Sequence, residues 1–240
     1  MTPSFQKKKK RNLQSILRES ALVRRFNQHI VPEVIDYDWS SIHFNRAAVV
    51  NLLMSMDDNE VYLEIGCADN RLFDAVAAKV KVGVDPAQGG TVRETSDAFF
   101  AHNTDRFDVI FIDGLHVYDQ VRRDLVNALA TVRAGGWIGL HDMLPRDWIE
   151  EHVPQISTSR WTGDGWKVAF ELIRSPDVDF RLVAIDHGVG VVKVLKDRPR
   201  LADLEADLQP RRFDFFHQHF ADLPVVDWAA ARAWIKSHRA

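Results

Sequence analysis

Acidic side chains and histidines follow several short apolar segments of the sequence, and their types suit proton transfer and ligand binding. His116 and His141 carry the side chain that titrates nearest neutral pH, so either could serve as a general base. Asp142 directly follows His141 and could orient an imidazole. The polar segment ends are Glu64-Ile-Gly66-Cys-Ala-Asp-Asn70, Asp85, Asp113-Gly-Leu-His116 and His141-Asp142.

The segments that precede these residues alternate between strand and helix patterns. Short apolar strands are predicted at residues 61–65, 81–84, 107–112 and 137–140, and apolar side chains recur at helical spacing between them. A further helix is predicted around 166–174, followed by a hairpin of residues 180–185 and 190–194. This alternation predicts an α/β fold, with a mostly parallel sheet covered by helices on both faces and closed by an antiparallel hairpin.

Ligands of open parallel sheets bind beyond the carboxyl ends of the strands, where the polar residues above are expected to meet. Gly66 ends the first strand and permits close approach of a ligand to the backbone, beside a helix N-terminus that favours polar or anionic groups. Asp85 lies 21 positions after Glu64, at the end of the next strand. That spacing suits an acid that accepts hydrogen bonds from ribose hydroxyls.

The motifs resemble those of the class I S-adenosylmethionine-dependent methyltransferases, in particular the small-molecule O-methyltransferase-like branch called methyltransferase family 24. The resemblance spans about residues 61–194, and its most specific part is FIDGLHVYDQVRRDL followed by AGGWIGLHD. It implies a Rossmann-like, doubly wound sheet of seven strands. It also implies transfer of a methyl group from S-adenosylmethionine, with a hydroxyl oxygen of a small or sugar-containing molecule as the expected acceptor.

The same resemblance assigns cofactor contacts. Glu64, Gly66 and the neighbouring backbone at Ala68 are expected to hold the methionine part, and Asp85 the ribose. Ser96 or Asp97, after a short third strand, is expected near the adenine. Asp113 completes the set of predicted cofactor-binding residues.

A divalent ion is a further implication of the resemblance. In the metal-dependent members of the branch, acids at these strand ends hold the ion, which makes Asp113 and Asp142 candidate ligands of Mg²⁺. The ion would lower the pKa of the acceptor hydroxyl, with His116 or His141 as the base. Without a metal, His141 and Asp142 remain a candidate base and orienting acid.

Ala68 and Asn70 stand where the family usually has further glycines. Alanine is small and asparagine tolerates left-handed backbone geometry, so cofactor binding stays compatible with this turn. One alternative is a catalytically degenerate cofactor-binding protein of the same fold. A nicotinamide-dependent oxidoreductase is a weaker alternative, because the G-x-G-x-x-G pattern is missing and the late hairpin is not expected there.

Two nearby acids receive less weight. Asp124 lies near the sheet-facing side of its predicted helix, so we expect it to cap or to form a pair. Asp186 and His187 occupy the predicted hairpin turn, where aspartate is ordinary turn chemistry.

Composition limits the remaining possibilities. The 240 residues carry a net charge of −3 and one cysteine, which excludes an intrachain disulfide framework and disfavours a general nucleic-acid surface. No apolar run is long enough to span a bilayer, and we expect a cytoplasmic protein.

Three parts are predicted: a basic tail and helical cap at 1–58, the cofactor-binding core at 59–197, and an aromatic helical extension at 198–240. The terminal helical segments are candidates for a homodimer contact.

Residues 1–25 contain eight basic side chains and one acid, Glu19, and so carry a charge of +7. Apolar residues from Leu13 to Ile30 recur at roughly helical spacing, which predicts an amphipathic helix that packs on the body. The basic run suits a phosphate-rich partner or an anionic membrane, with a solvated terminus as the simpler interpretation.

Overall fold

A single mixed sheet lies at the centre of the computed structural model, which describes residues 13–157 and 159–239. Its strands are β1 (Val61–Ile65), β2 (Val80–Val84), β3 (Phe107–Ile112), β4 (Val132–Leu140), β5 (Val178–Val183), β6 (Val189–Val194) and β7 (Val225–Val226). They lie in the order β2-β1-β3-β4-β6-β5-β7. β6 runs antiparallel to β4 and β5, whereas the other neighbouring pairs are parallel.

Helices cover both faces of this sheet. They are α1 (Leu13–Arg25), α2 (Arg46–Met54), α3 (Arg71–Ala75), α4 (Ser96–His102), α5 (Tyr118–Thr131), α6 (Trp148–Glu151), α7 (Lys167–Leu172), α8 (Glu205–Leu208), α9 (Phe213–Gln218) and α10 (Trp228–Ser237). Side chains of α5, α7 and α9 form one apolar core with the sheet, and those of α2, α3 and α10 form a second.

The strands alternate between these two cores because successive side chains point to opposite faces. In β3, Ile110 and Ile112 join the first core, whereas Val109 and Phe111 join the second. Every residue of β3 is buried, as expected of a strand inside a doubly covered sheet. The predicted fold class, a Rossmann-like α/β sheet of seven strands with a reversed hairpin, is confirmed.

The seventh strand comes from an unexpected part of the chain. The short third strand predicted before Ser96 amounts to a single bridge between Val84 and Val92 in the described residues. β7 instead belongs to the C-terminal extension, which the sequence predicts as helical, and it pairs with β5. Its two residues cover the edge of β5, which would otherwise expose unpaired backbone groups.

The N-terminal helix also differs in part from its prediction. Leu22, Val23 and Phe26 pack against the first core, whereas Leu13 and Leu17 are exposed. Among the described residues, no helix combines the length and apolar character that crossing a membrane requires.

Candidate active site

Two adjoining cavities lie at the carboxyl edge of the parallel strands. The first has a volume of about 580 Å³ and the second about 280 Å³. Gly66, Ala68, Asp113 and His116 line both. The arrangement follows from the topology, since β1, β2, β3 and β4 all end at this edge.

The turn after β1 forms the boundary between the cavities, and its backbone is left-handed at three positions. Gly66 has a φ of +86°, and a Cβ there would lie 2.2 Å from the carbonyl oxygen of Asp113, so a side chain cannot fit. Ala68 and Asn70 also have positive φ values, 45° and 62°. The Asn70 amide oxygen accepts a hydrogen bond of 2.7 Å from the Gly90 N–H, which joins this turn to the loop after β2. The two departures from the glycine pattern are therefore accommodated in the conformations that glycine would supply.

Asp85 ends β2 and borders the first cavity. One carboxylate oxygen accepts the N–H groups of Ala87 and Gln88, and the other accepts that of Ala68 at 2.9 Å. Burial would raise the pKa of Asp85, but these backbone donors lower it below its ordinary value. Because a carboxylate offers about four acceptor positions, the side chain keeps capacity for a ligand hydroxyl.

The far wall of the first cavity includes both residues predicted near an adenine, Ser96 and Asp97. The Gln120 amide nitrogen lies 3.1 Å from the Ser96 hydroxyl and 3.0 Å from Asp124 Oδ1. Gln120 and Asp124 both line this cavity. The sequence reasoning missed Gln120 and expected Asp124 to cap or to form a pair, although the i, i+4 spacing placed both on one helix side.

The second cavity contains the predicted histidines and acids in direct contact. His116 Nδ1 lies 2.8 Å from Asp142 Oδ2. His141 Nδ1 lies 3.1 Å from Asp113 Oδ1 and 3.4 Å from Asp142 Oδ1. The four predicted side chains from the ends of β3 and β4 thus form one cluster.

The charges within the cluster shift the pKa values of its members. Burial would lower the pKa of both histidines, but the neighbouring carboxylates raise it, modestly for His116 and strongly for His141. Burial would raise the pKa of Asp142, but the His141 charge and the hydrogen bond from His116 hold it well below its ordinary value. Asp142 is accordingly a carboxylate at neutral pH.

The two histidines differ in access. The His116 side chain is 23% exposed and lines both cavities, whereas that of His141 is 6% exposed. His141 Nε2 lies 3.3 Å from Arg46 Nη1 and 3.6 Å from Asp186 Oδ2, so neighbouring side chains surround both of its nitrogens. A ligand in the cavities therefore reaches His116 more readily.

Arg46 and Asp186 are members of the cluster that the sequence reasoning did not place there. Arg46 Nη1 donates to Asp186 Oδ2 at 2.8 Å, and its Nε lies 3.5 Å from Asp113 Oδ2. Burial would raise the pKa of Asp186, but His141 and Arg46 lower it strongly. Asp186 follows β5, which is parallel to β4, and this topology was the available signal. Arg46 begins α2, far in the sequence from the other members of the cluster, and no sequence signal indicated its place there.

A family model described as a methyltransferase domain, of family 24, matches residues 39–143. This part of the chain is similar to the methyltransferase domain of that family. The match includes the turn after β1, Asp85 and the Asp113–Asp142 cluster.

Several solved structures of methyltransferases are similar to this chain at under 20% identity. An O-methyltransferase from Bacillus cereus in complex with S-adenosylhomocysteine is 12% identical, with a TM-score of 0.46, and the match covers 77% of this chain and 92% of that one. A Podospora anserina methyltransferase bound to S-adenosylhomocysteine is 16% identical, with a TM-score of 0.47, and the match covers 77% of this chain and 97% of that one. The MycE methyltransferase of the mycinamycin biosynthetic pathway, in complex with Mg and S-adenosylhomocysteine, is 19% identical, with a TM-score of 0.47. That match covers 80% of this chain and 59% of the MycE chain. No curated protein matches the chain.

A candidate metal site lies among the side chains of this cluster. Asp113, His141 and Asp142 each offer one ligand atom, and the three atoms lie within 4.8 Å of one another. The set fits a divalent cation and adds an imidazole nitrogen to the two predicted carboxylates. Mg²⁺ favours oxygen ligands, whereas Mn²⁺ and later transition metals also accept imidazole, so this donor set suits Mn²⁺ better. Asp186, beside His141 Nε2, has the position of a carboxylate that orients a ligating histidine.

Glu64 borders the second cavity but not the first. Its carboxylate accepts a hydrogen bond of 2.6 Å from the Tyr62 hydroxyl. Burial raises the pKa of Glu64 to about 7. Its predicted contact with the methionine part of a cofactor would therefore be made from the second cavity.

Proposed function

We propose that the protein transfers a methyl group from S-adenosylmethionine to a hydroxyl oxygen of a small, polar acceptor such as a sugar-containing molecule. The observation that carries this proposal is the His116–Asp142 pair at the junction of two cavities. The first cavity would hold the cofactor and the second the acceptor. A base is then available where the methyl group and the hydroxyl meet.

The cofactor assignment is supported by the lining of the first cavity. Gly66 leaves room for the methionine part, Asp85 keeps an acceptor position for the ribose, and Ser96 and Asp97 lie on the far wall. Leu115 is 56% exposed at this cavity and offers an apolar surface to the adenine. S-adenosylmethionine supplies the electrophilic methyl group.

The lining of the second cavity supports the proposed acceptor class. Its wall consists mostly of ionisable side chains, with Cys67 and Leu72 as its larger apolar side chains. Such a wall compensates the hydrogen bonds that a polyhydroxylated molecule loses on leaving water, and it offers little to an aromatic ring. The ionisable residues are Arg46, Glu64, Asp69, Arg71, Asp113, His116, His141 and Asp142.

His116 is the proposed general base. Its Nδ1–H donates to Asp142, which orients the ring and stabilises the imidazolium that forms. Nε2 takes the proton of the acceptor hydroxyl while the oxygen–methyl bond forms and the sulfur–methyl bond breaks. Positioning the two reactants supplies much of the rate.

His141 is a positioning residue in this mechanism, because Asp113, Asp142 and Asp186 surround it. It fixes the carboxylates that hold His116 and border the acceptor. A divalent ion bound by Asp113, His141 and Asp142 would lower the pKa of the acceptor hydroxyl. His141 would then be neutral, with Nδ1 toward the ion.

Calorimetric titration with S-adenosylmethionine and S-adenosylhomocysteine tests the cofactor class first. Methyl transfer from labelled S-adenosylmethionine to a panel of sugars and other polyols then tests the reaction. We expect binding of both forms, and turnover that is lost in His116→Gln while S-adenosylhomocysteine still binds. Cofactor binding without turnover on any acceptor would favour the degenerate alternative, and binding of nicotinamide nucleotides instead would favour the oxidoreductase.

A further inference from the structure

The N-terminal helix α1 exposes apolar side chains that the fold does not cover. Leu13 is 71% exposed, Leu17 58% and Ile16 42%. Leu22, Val23 and Phe26, nearer the C-terminal end of the helix, pack on the body. Scattered exposed apolar residues are normal, but three on one side of a short helix form a patch.

The N-terminal segment is unusual in this respect within the described part of the chain. The described residues include ten exposed large hydrophobic side chains, and half of them fall in residues 13–34: Leu13, Ile16, Leu17, Ile30 and Val34. The helix is also attached to the body, since the Ser157 hydroxyl donates to Glu19 at 3.2 Å. The patch is therefore presented by a helix that contacts the folded core.

Basic residues accompany the patch. The run Lys7–Arg11, outside the described residues, comes shortly before α1 in the sequence, and Arg18, Arg24 and Arg25 lie on the helix. Residues 1–25 carry +7 in a chain whose net charge is −3. Apolar and basic side chains on one short helix are typical of segments that lie in the interface of an anionic bilayer.

We propose that α1 binds the surface of an anionic lipid bilayer. Leu13, Ile16 and Leu17 insert among the headgroups, and the basic side chains contact the lipid phosphates and carboxylates. The enzyme core stays in water beside the bilayer.

The charge of the segment favours a bilayer over two other partners for this patch, a second copy of the chain and a nucleic acid. A second copy of the chain would bring two segments of +7 together, which opposes association through this face. A nucleic acid would engage the basic residues but leave the three apolar side chains in water. An anionic bilayer satisfies both kinds of side chain.

Sedimentation of the full chain with vesicles tests the proposal. One set contains phosphatidylcholine and phosphatidylserine in a two-to-one ratio, and the other contains phosphatidylcholine alone. We expect binding to the mixed vesicles that weakens as salt rises, and little binding to the neutral ones.

Two double variants separate insertion from simple charge attraction. Leu13→Ser with Leu17→Ser should reduce the affinity for mixed vesicles about tenfold or more, because two inserted side chains are lost. Val126→Ser with Leu195→Ser is the matched control, because these exposed side chains lie elsewhere, and its affinity should stay unchanged. Retained S-adenosylhomocysteine binding shows that each variant is folded and keeps this test independent of the acceptor.

Equal binding to neutral and mixed vesicles, or an unchanged affinity in the α1 variant, would overturn the proposal. So would absence of vesicle binding. Self-association in ultracentrifugation that disappears in the α1 variant would show a second copy as the occupant, and salt-sensitive RNA binding without vesicle binding would show a nucleic acid.

Discussion

The backbone N–H of Asp164 donates to the carbonyl oxygen of His116 at 3.1 Å. The Asp164 carboxylate also accepts the Tyr118 N–H at 2.7 Å, at the first residue of α5, and the Lys167 ammonium at 2.8 Å. Gly163 lies so close to the same turn that a Cβ would overlap the His116 carbonyl oxygen. The loop before α7 thus fixes the turn that carries the proposed base.

Replacing Asp164 should therefore impair turnover more than cofactor binding. Asp164→Ala removes the carboxylate that caps α5, which costs about 1 kcal/mol of stability. It also leaves the Lys167 ammonium without its ion pair. We expect kcat to fall about tenfold or more, with a smaller change in S-adenosylhomocysteine affinity.

Asp164→Asn is the matched control, because its amide oxygen can still accept the Tyr118 N–H. It should retain more activity than the alanine variant. Equal kcat values for wild type and Asp164→Ala would show that the loop does not position His116.

His116→Gln should lower kcat about 10²-fold or more, the range of general-base catalysis, because the amide cannot take up the hydroxyl proton. Single-turnover methyl transfer measures the chemical step directly. His102→Gln, at an exposed histidine of α4, is the control and should behave as wild type. A normal single-turnover rate in His116→Gln would assign the base elsewhere.

Asp85→Ala should weaken binding of S-adenosylmethionine about tenfold to a hundredfold. The variant removes charged acceptors for the ribose and frees the N–H groups of Ala68, Ala87 and Gln88. Calorimetry measures the dissociation constant, with exposed Asp74→Ala as the control. An affinity equal to that of wild type would refute the ribose assignment.

The donor set predicts tighter binding of Mn²⁺ than of Mg²⁺. Calorimetric titration of the metal-free protein measures both affinities without any acceptor. His141→Ala should remove most of the preference for Mn²⁺, since the remaining donors are carboxylates. Asp186→Asn should have a smaller effect, because Asp186 lies beside the other nitrogen of His141. Absence of heat for both metals would exclude this site.

Glu151 should make the protein less stable as pH rises. Burial is the main cause that raises its pKa from 4.5 to about 8. The folded state therefore holds a proton that the unfolded state releases above its lower pKa. This contribution is complete below the unfolded pKa and is lost as pH rises through the folded one, with a slope of up to about 1.4 kcal/mol per pH unit.

Urea denaturation across this pH window measures the slope. Glu151→Gln cannot ionise, so its free energy of unfolding should fall less steeply with pH than that of wild type. Glu33→Gln, at an exposed position, should leave the slope unchanged. Parallel slopes for wild type and Glu151→Gln would contradict the prediction.

Local sequence determined the elements that carry the site. β1 and β3 have the bounds predicted from their apolar runs, since a doubly covered strand needs apolar side chains on both faces. Once these strands are parallel, Asp113, His116, His141 and Asp142 must come to one edge. The family resemblance and the cluster of these four residues were therefore accessible from the sequence.

The tertiary structure decided which residues complete the cluster. Arg46 reaches Asp113 and Asp186 from a helix outside the β–α alternation, and no local pattern encodes a contact across 140 positions. The strand β7 arose in the same way, because pairing with the edge of β5 overrode the helical tendency of the C-terminal extension. Periodicity reports what a segment can bury, whereas partners distant in the chain are chosen only when all the elements pack together.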